Sequence, residues 1–414
     1  MILRPLLAVG ATLVVAYAST SAQAKPPATA ALAAHASAWV AANEPALIAL
    51  RQDLHQHPEL SGAEVRTAAL IADRLQRAGL DVTKHVGGQG VVALLRGGRP
   101  GPLVAYRADM DAVRSDAPDP SAFSSLTPGV RHICGHDMHA TIGVALAEAL
   151  ASVRAELPGS ILFLFQPAEE SATGANAMIA AGALGSSKPS AIFALHTAPM
   201  PVGQVATARG VLMPARDRAR LTITDAASGG GAIASLRRAL AGIGTITADQ
   251  RFTSMSPPFA VLDGSNAGQG SASTQVLTAD FTVSDAAARA ALRARLAAAI
   301  ATAAASGAKI ELAYEDGVVA GVTNAPAVAD RAVVAARGVL GADNVRLIET
   351  MVPAFSEDFG SFQARVPGVM FFLGVSNPAK GTVGMPHTPA YVADDGAIAV
   401  GVRLMTAVVL DALR

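Results

Sequence analysis

Three short apolar segments of this chain are each followed by residues that can bind a metal ion. Leu103–Tyr106, Ile161–Phe165 and Ala191–Leu195 are typical of buried strands in a largely parallel sheet. The carboxyl ends of such strands meet at one edge of the sheet, where open α/β folds place their sites. Three such strands in order are hard to explain by packing alone. The residues that follow them are, in chain order, Asp109, Asp111, Glu169, Glu170 and His196.

Taken singly, these residues also have simpler explanations. Asp109 and Asp111 are as compatible with a solvated turn as with a metal ligand or a carboxylate that supports one. Glu169 and Glu170 are neighbours, and adjacent side chains of an extended segment point to opposite sides. We therefore expect one of the two to bind metal while the other faces water or substrate. Two exposed glutamates in a turn are the alternative.

The segment from His132 to His139 contains the only cysteine of the chain and three of its nine histidines. Cys134 and His136 are separated by one residue, so their side chains can converge on one ion. Thiolate and imidazole together favour zinc, cobalt or nickel. A buried cysteine beside structural histidines is the alternative. A single cysteine also excludes an intramolecular disulfide.

Two helices are predicted before the first strands. Residues 36–57 have amphipathic spacing, and Pro58 stops this helix. His55 and His57 lie at its end and are further candidate ligands. Ser61 and Glu64 fit a capping box that starts the next helix.

Residues 214–321 have a different pattern, with alternating strands and two helices. Arg218–Thr224 and Val276–Val283 are predicted strands, Ala286–Ala305 is a predicted helix, and Ser228–Gly231 and Gly264–Ser273 are predicted loops. This part contains no histidine or cysteine, so it cannot supply soft metal ligands. We therefore predict an α/β protein: a mostly parallel-sheet, metal-binding catalytic domain (25–213 and 322–414) with an inserted smaller α+β lid domain (214–321).

The first 24 residues predict a signal peptide. Arg4 precedes the apolar run Leu6–Ala18, and Ala22-Gln23-Ala24 fits a cleavage site. An uncleaved anchor is the alternative, but the run is short for a membrane span. We expect a periplasmic or secreted protein with no membrane span after processing. The formal net charge is zero and no basic run occurs, so we expect no nucleic-acid partner.

Together, the motifs resemble the M20 metallopeptidase clan. The most similar branch contains hippurate hydrolases, N-acyl-amino-acid deacylases and auxin-amino-acid conjugate hydrolases. The matching stretches occur in the family's order over most of the chain after residue 24. They are Leu54–Leu60 (LHQHPEL), Arg107–Asp111 (RADMD), Cys134–Asp137 (CGHD) with His139, Gln166–Glu170 (QPAEE), Ala194–His196 (ALH), Glu357–Phe359 (EDF), Pro367-Gly368 and Pro386-His387.

The resemblance implies a site with two divalent metal ions, zinc first and manganese, cobalt or nickel as alternatives. It assigns the general base to Glu169. It places Asp109, Asp111, Asp137 and Glu357 around the metals as support, and it implies a lid that often forms a homodimer. The ligands that it implies are Cys134, His136, Glu170, His196 and His387.

The expected activity is hydrolysis of the amide bond of N-acyl amino acids or small dipeptide-like conjugates. The lid departs from its relatives: the region that corresponds to their Gly-Lys-x-x-His stretch is Ala227–Ser235, which has no histidine. After Asp111, the usual Ala-Leu-Pro is Ala112-Val113-Arg114. Two alternatives therefore stay open. One is a metal-binding relative with weak catalysis, and the other is a carboxypeptidase or dipeptidase of the same clan.

Overall fold

The computed structural model describes residues 28–185, 188–224, 231–244, 253–268, 274–305 and 307–414. The predicted signal peptide, residues 228–230 of the predicted loop Ser228–Gly231 and residues 269–273 of the predicted loop Gly264–Ser273 lie outside the described residues. Within the described parts of the chain, none of the helices combines the length and the apolar character that a membrane span requires.

The described strands fall into two main sheets and two short pairs. They are β1 (Asp81–Thr83), β2 (Val91–Arg96), β3 (Arg99–Asp109), β4 (Val113–Arg114), β5 (Val130–Arg131), β6 (Pro158–Gln166), β7 (Ile192–Pro201), β8 (Val205–Thr207), β9 (Gly210–Met213), β10 (Ala215–Thr224), β11 (Ala260–Gly268), β12 (Thr274–Val283), β13 (Lys309–Val319), β14 (Val322–Asn324), β15 (Val345–Leu347) and β16 (Gly368–Ser376).

The described helices are mostly long and cover the sheets. They are α1 (Ala28–Gln56), α2 (Val65–Arg77), α3 (His136–Ala151), α4 (Gly174–Ala180), α5 (Gly231–Ala241), α6 (Ala286–Ala304), α7 (Pro326–Leu340), α8 (Gly360–Gln363) and α9 (Ala397–Ala412).

The larger sheet has eight strands in the order β1-β2-β6-β3-β7-β16-β8-β15. Its centre is parallel, because β6, β3, β7 and β16 run in the same direction. This confirms the prediction of a mostly parallel sheet. Antiparallel pairs lie toward the edges, where β2 runs antiparallel to β6.

Both faces of this sheet are buried. Phe163 packs in a core with α1, α3 and α9, whereas its neighbour Leu164 packs on the other face with α4 and α8. Adjacent side chains of a strand point to opposite faces, so a strand covered on both sides must be apolar throughout. That requirement explains the continuous apolar run that predicted β6.

The smaller sheet is antiparallel and has the order β11-β12-β10-β13. Helices α5 and α6 cover one of its faces, with Leu221, Phe281, Leu236 and Leu292 in the shared core. This sheet spans residues 215–319 and lies within the predicted lid (residues 214–321). Strand β11 covers residues 264–268, so the prediction of a loop there was wrong.

The start of helix α1 differs from the prediction, because it begins at Ala28 and not at residue 36, and the helix contains Pro45. Helix α3 begins at His136, and its first turn is buried with the rest of the helix. The first turn of α3 therefore carries His136, Asp137 and His139 into the interior.

Candidate metal centre

The segment before α3 places Cys134 and His136 side by side. Gly135 separates them with φ +95°, and a Cβ there would lie 2.2 Å from the hydroxyl oxygen of Tyr391. Both facts require glycine at this position. The Thr197 hydroxyl donates to the Cys134 carbonyl oxygen at 2.6 Å, which ties the segment to β7.

Cys134, His136 and His196 form one group of buried donor atoms. Their ligand atoms all lie within 4.8 Å of one another, and Cys134 Sγ is 3.4 Å from His196 Nε2. His136 Nδ1 bonds to Asp111 at 3.1 Å, while its Nε2 is buried without a hydrogen-bond partner among the described residues. The inward-facing Nε2 is therefore free to bind a cation. We expected His196 to follow the end of a strand, but it lies within β7.

Glu169 and Glu170 face the same side, so the prediction that they point apart was wrong. Their carboxylate oxygens lie 3.8 and 3.7 Å from His136 Nε2. The segment is a turn and not an extended strand, since Ala168 adopts φ +55°. Glu170 Oε1 is also buried without a hydrogen-bond partner among the described residues.

His387 reaches this group from the loop before α9. Its Nε2 is 3.4 Å from Glu170 Oε1, and its side chain is 43% exposed. Cys134, Glu170 and His387 form a second set of donor atoms within 4.8 Å of one another. The backbone N–H of His387 donates to the Ile133 carbonyl oxygen at 2.8 Å, which fixes the loop beside Cys134.

Asp109 and His139 bind each other. The backbone N–H of Thr197 donates to His139 Nε2 at 2.8 Å, so Nδ1 carries the proton that it donates to Asp109 at 2.6 Å. Both ring nitrogens are thereby used. Although Asp109, His136 and His139 also lie close together, His139 is a support for Asp109 rather than a ligand.

Asp111 links three parts of the site. It accepts hydrogen bonds from Ser61 Oγ at 2.7 Å and from the backbone N–H of Glu170 at 2.9 Å, besides its contact with His136.

Glu64 accepts from the backbone N–H of Ala168 at 2.8 Å. The predicted capping box was therefore wrong: α2 begins at Val65, and neither side chain caps it.

Arg107 is fully buried and holds three carboxylates. Its guanidinium lies 2.6 Å from Asp109, 2.8 Å from Glu357 and 3.3 Å from Asp358. Glu357 is thus oriented by Arg107. Arg107 and Asp358 were not predicted as site residues, although they belong to the motifs RADMD and EDF.

Asp137 bonds away from the candidate ligands. Its Oδ2 is 2.9 Å from His55 Nδ1 and 3.2 Å from Arg51 Nε, and His55 Nε2 bonds to Asp119 at 3.0 Å. His55 therefore supports the start of α3. His57 instead bonds to the Asp53 carbonyl oxygen at the surface. Neither histidine belongs to a group of candidate ligands among the described residues.

The charges of the site favour a cation. Burial alone would lower the pKa of His136, but Asp109 and Asp111 outweigh it and raise that pKa to about 10. Burial raises the pKa of Glu170 to about 7, and burial together with Glu357 raises the pKa of Glu169. Burial and the neighbouring carboxylates make ionisation of these glutamates costly, and a bound cation would offset that cost.

The donor set fits divalent metal ions. It combines a thiol, imidazoles and carboxylates, and two of its atoms are buried without hydrogen bonds. Over it opens a cavity of about 710 Å³, lined by Cys134, Glu169, His196 and His387 and, from the lid, by Arg216 and Val319.

The model of the family described as Peptidase family M20/M25/M40 matches residues 105–411. The chain belongs to this family. It is an M20 hydrolase with a mixed α/β fold, as the resemblance implied.

Individual members of the M20 family match over different lengths. The chain is 29% identical to thermostable carboxypeptidase 2 of Saccharolobus solfataricus, over 86% of this chain and 92% of that protein. It is 40% identical to the N-acetylcysteine deacetylase of Bacillus subtilis, over 43% of this chain and 47% of that protein. Two curated relatives with 45% and 40% identity are each matched over less than half of their own length.

Among solved structures, the chain is similar to the YXEP protein of Bacillus subtilis, described as a dinuclear metal-binding peptidase of the M20 family. The TM-score is 0.75 and the identity 28%, over 89% of this chain and 98% of that one.

Proposed function

We propose that this M20 hydrolase is an amidohydrolase that cleaves the amide bond of N-acyl amino acids with the help of two divalent cations. The deacetylase activity of the Bacillus relative supports an N-acyl amino acid as substrate. The dinuclear metal binding of the YXEP protein supports two cations. Cys134, His136, Glu170, His196 and His387 would hold them, with zinc first and manganese, cobalt or nickel as alternatives.

When bound, such cations supply Lewis acidity that lowers the pKa of a water and polarises a carbonyl oxygen. The protein's own contribution is positional. Asp111 orients His136 Nδ1 and the Glu170 backbone. Arg107 holds Asp109 and Glu357. These contacts hold the donor atoms in place.

Glu169 is the proposed general base. It would accept a proton from the water that attacks the amide carbonyl carbon, and it would return that proton to the amine nitrogen as the C–N bond breaks. The observation that carries this assignment is its position. Its carboxylate is buried beside His136 Nε2 and lines the cavity next to Cys134 and His196.

The test is turnover of a panel of N-acetyl, N-benzoyl and indole-acyl amino acids by protein loaded in turn with zinc, manganese and cobalt. Glu169→Gln should lower kcat by roughly 10²- to 10⁴-fold and leave the metal content unchanged. Glu156→Gln, at an exposed position beyond α3, is the matched control and should keep full activity.

Two alternatives have support of their own. No histidine lies between His196 and His387, which favours a binding protein with weak catalysis. Stoichiometric metal without turnover of any panel member would establish that function. The similarity to a thermostable carboxypeptidase favours peptide substrates. Faster cleavage of dipeptides than of N-acyl amino acids would support that alternative.

We also propose that the protein is exported and that the lid forms a homodimer. The proposal of export rests on Leu6–Ala18 and the site at Ala22-Gln23-Ala24. N-terminal sequencing of the protein from a bacterial periplasm should begin at Lys25, and a cytoplasmic chain that begins at Met1 would refute export. A monomer mass in light scattering would refute the dimer.

A further inference from the structure

Arg216 is the second residue of the lid strand β10, at the end that faces the metal centre. Its neighbour Asp217 is fully buried and bonds to Arg289 of α6, on the helix side of the lid sheet. Because adjacent strand residues point to opposite sides, Arg216 points away from the lid core. It lines the cavity that also contains Glu169 and His196.

The guanidinium of Arg216 is anchored but largely unused. Its Nη2 bonds to Asp263 of β11 at 3.0 Å, with 29% of the Arg216 side chain exposed. Its Nε is buried and has no hydrogen-bond partner among the described residues. A guanidinium has five donors in a fixed fork that matches a carboxylate. Asp263 therefore orients the group and leaves donors for a ligand.

Arg114 lines the same cavity from the large-sheet part of the molecule. It lies on β4 and is exposed. Its backbone pairs with Val130 of β5, but no described residue forms an ion pair or a hydrogen bond with its side chain. The cavity thus has an acidic side, formed by Glu169 and Glu170, and two arginines, of which only Arg216 has a described counter-ion. The buried Nε of Arg216 and the side chain of Arg114 are therefore available to an anionic group of the ligand.

We propose that Arg216, together with Arg114, binds the free carboxylate of the amino-acid half of the substrate and thereby selects N-acyl amino acids over amides that lack this carboxylate. The inference deepens the proposed function and rests on it. Arg216 belongs to the lid, whereas Glu169 belongs to the large-sheet part. The lid would therefore contribute to substrate recognition without a histidine.

Equilibrium binding tests the proposal separately from turnover. Calorimetry would use zinc-loaded Glu169→Gln protein with each N-acyl amino acid of the panel and with its carboxamide. We expect the free acid to bind roughly 10- to 100-fold more tightly, the effect of one charged hydrogen-bonded contact. Adding Arg216→Ala should remove this preference by weakening only the acid, and Arg216→Lys should retain part of it.

Arg218→Ala is the matched control. Arg218 lies two residues along the same strand face and pairs with Asp280 at 2.7 Å, but it is 45% exposed and does not line the cavity. The preference for the acid should survive this change. Arg114→Ala should weaken binding of the acid by less than Arg216→Ala, because Arg114 is exposed and its charge is screened by solvent.

Two results would overturn the proposal. One is that no free acid of the panel binds more tightly than its carboxamide. The other is that Arg216→Ala weakens the acid and the carboxamide equally, which would make Arg216 a structural residue of the lid. The acid could be preferred in binding while protein that retains Glu169 turns over no member of the panel. That result would refute the proposed hydrolysis and leave this inference intact.

Discussion

The large-sheet part and the lid each bury an ion cluster, and only one of the two is balanced in charge. The Arg107 cluster places one cation against Asp109, Glu357 and Asp358, all of them buried. In the lid, the single carboxylate of Asp217 accepts hydrogen bonds from Arg289, Tyr314 and the backbone N–H of Gly317.

The difference separates a site from a structural link. A buried charge is costly unless partners compensate it. Asp217 has a full set of donors, and despite burial its contacts with Arg289 and Gly317 lower its pKa. The Arg107 cluster has more carboxylates than cations and lies beside Glu169, so further cations would stabilise it. Four measurements test this difference between the two clusters.

The largest effect should follow from Arg107→Met. Removal of the only buried arginine among these carboxylates should lower the free energy of unfolding by about 3–5 kcal/mol, because their charge is then uncompensated. Urea denaturation measures the loss. Arg96→Met, which breaks an exposed pair with Asp81, is the control and should change little. Equal losses in both variants would contradict the importance that we give to Arg107.

Metal removal should come next. A chelator should lower the free energy of unfolding by roughly 3–4 kcal/mol if the free metal exceeds its Kd by 100- to 1,000-fold. In His136→Asn the chelator should have little effect, whereas Asp217→Asn should keep the full response. A response of the same size in His136→Asn would mean that the stabilising cations bind elsewhere.

His55 gives an intermediate case with a defined pH dependence. Burial opposes its protonation, but Asp119 and Asp137 outweigh burial and the nearby Arg51 and raise its pKa to about 9. The other titratable group facing it is His132. Because the folded pKa exceeds the unfolded value of about 6.5, the stabilisation is complete below pH 6.5 and is lost as the pH rises through 9.

We expect this loss to be roughly 2–3 kcal/mol between pH 6.5 and 9.5. Denaturation at a series of pH values measures it, and His55→Gln should flatten the profile over that range. His57→Gln, at the exposed end of the same helix, should leave the slope unchanged. A slope that survives in His55→Gln would assign the titration to another group.

The smallest effect should be that of Asp217→Asn. It weakens charged hydrogen bonds in the lid and should lower the free energy of unfolding by about 1–2 kcal/mol, since Arg289 is 25% exposed and can be solvated. Metal content should not change. A loss of metal in this variant would show that the two clusters are coupled and would undo the comparison.

Much of the fold was accessible from the sequence. The apolar runs predicted β3, β6 and β7 because both faces of a parallel sheet are buried and each run is then continuous. Their boundaries were less exact. His196 was placed after a strand but lies inside β7, because the run of strong strand formers stops at Leu195 while the backbone pairing with β16 continues.

The residue types of the candidate site were also accessible from the sequence, but their orientation was not. The types Cys, His and Glu in this order indicate a metal site. Glu169 and Glu170 face one side because Ala168 adopts a left-handed conformation. The backbone N–H of Ala168 donates to Glu64, which lies more than one hundred residues away in the sequence. A local pattern contains no information about such a partner.

Periodicity and side-chain chemistry were sufficient to predict the alternation of strands and helices, the inserted lid and the residue types at the sheet edge. Which of these groups already have hydrogen-bond partners became known from the folded structure. Both ring nitrogens of His139 are hydrogen-bonded, Ser61 and Glu64 support the site instead of capping a helix, and Arg216 of the lid lines the cavity. These roles could not be predicted because the role of a polar group depends on the donors and acceptors around it, and these come from distant parts of the chain.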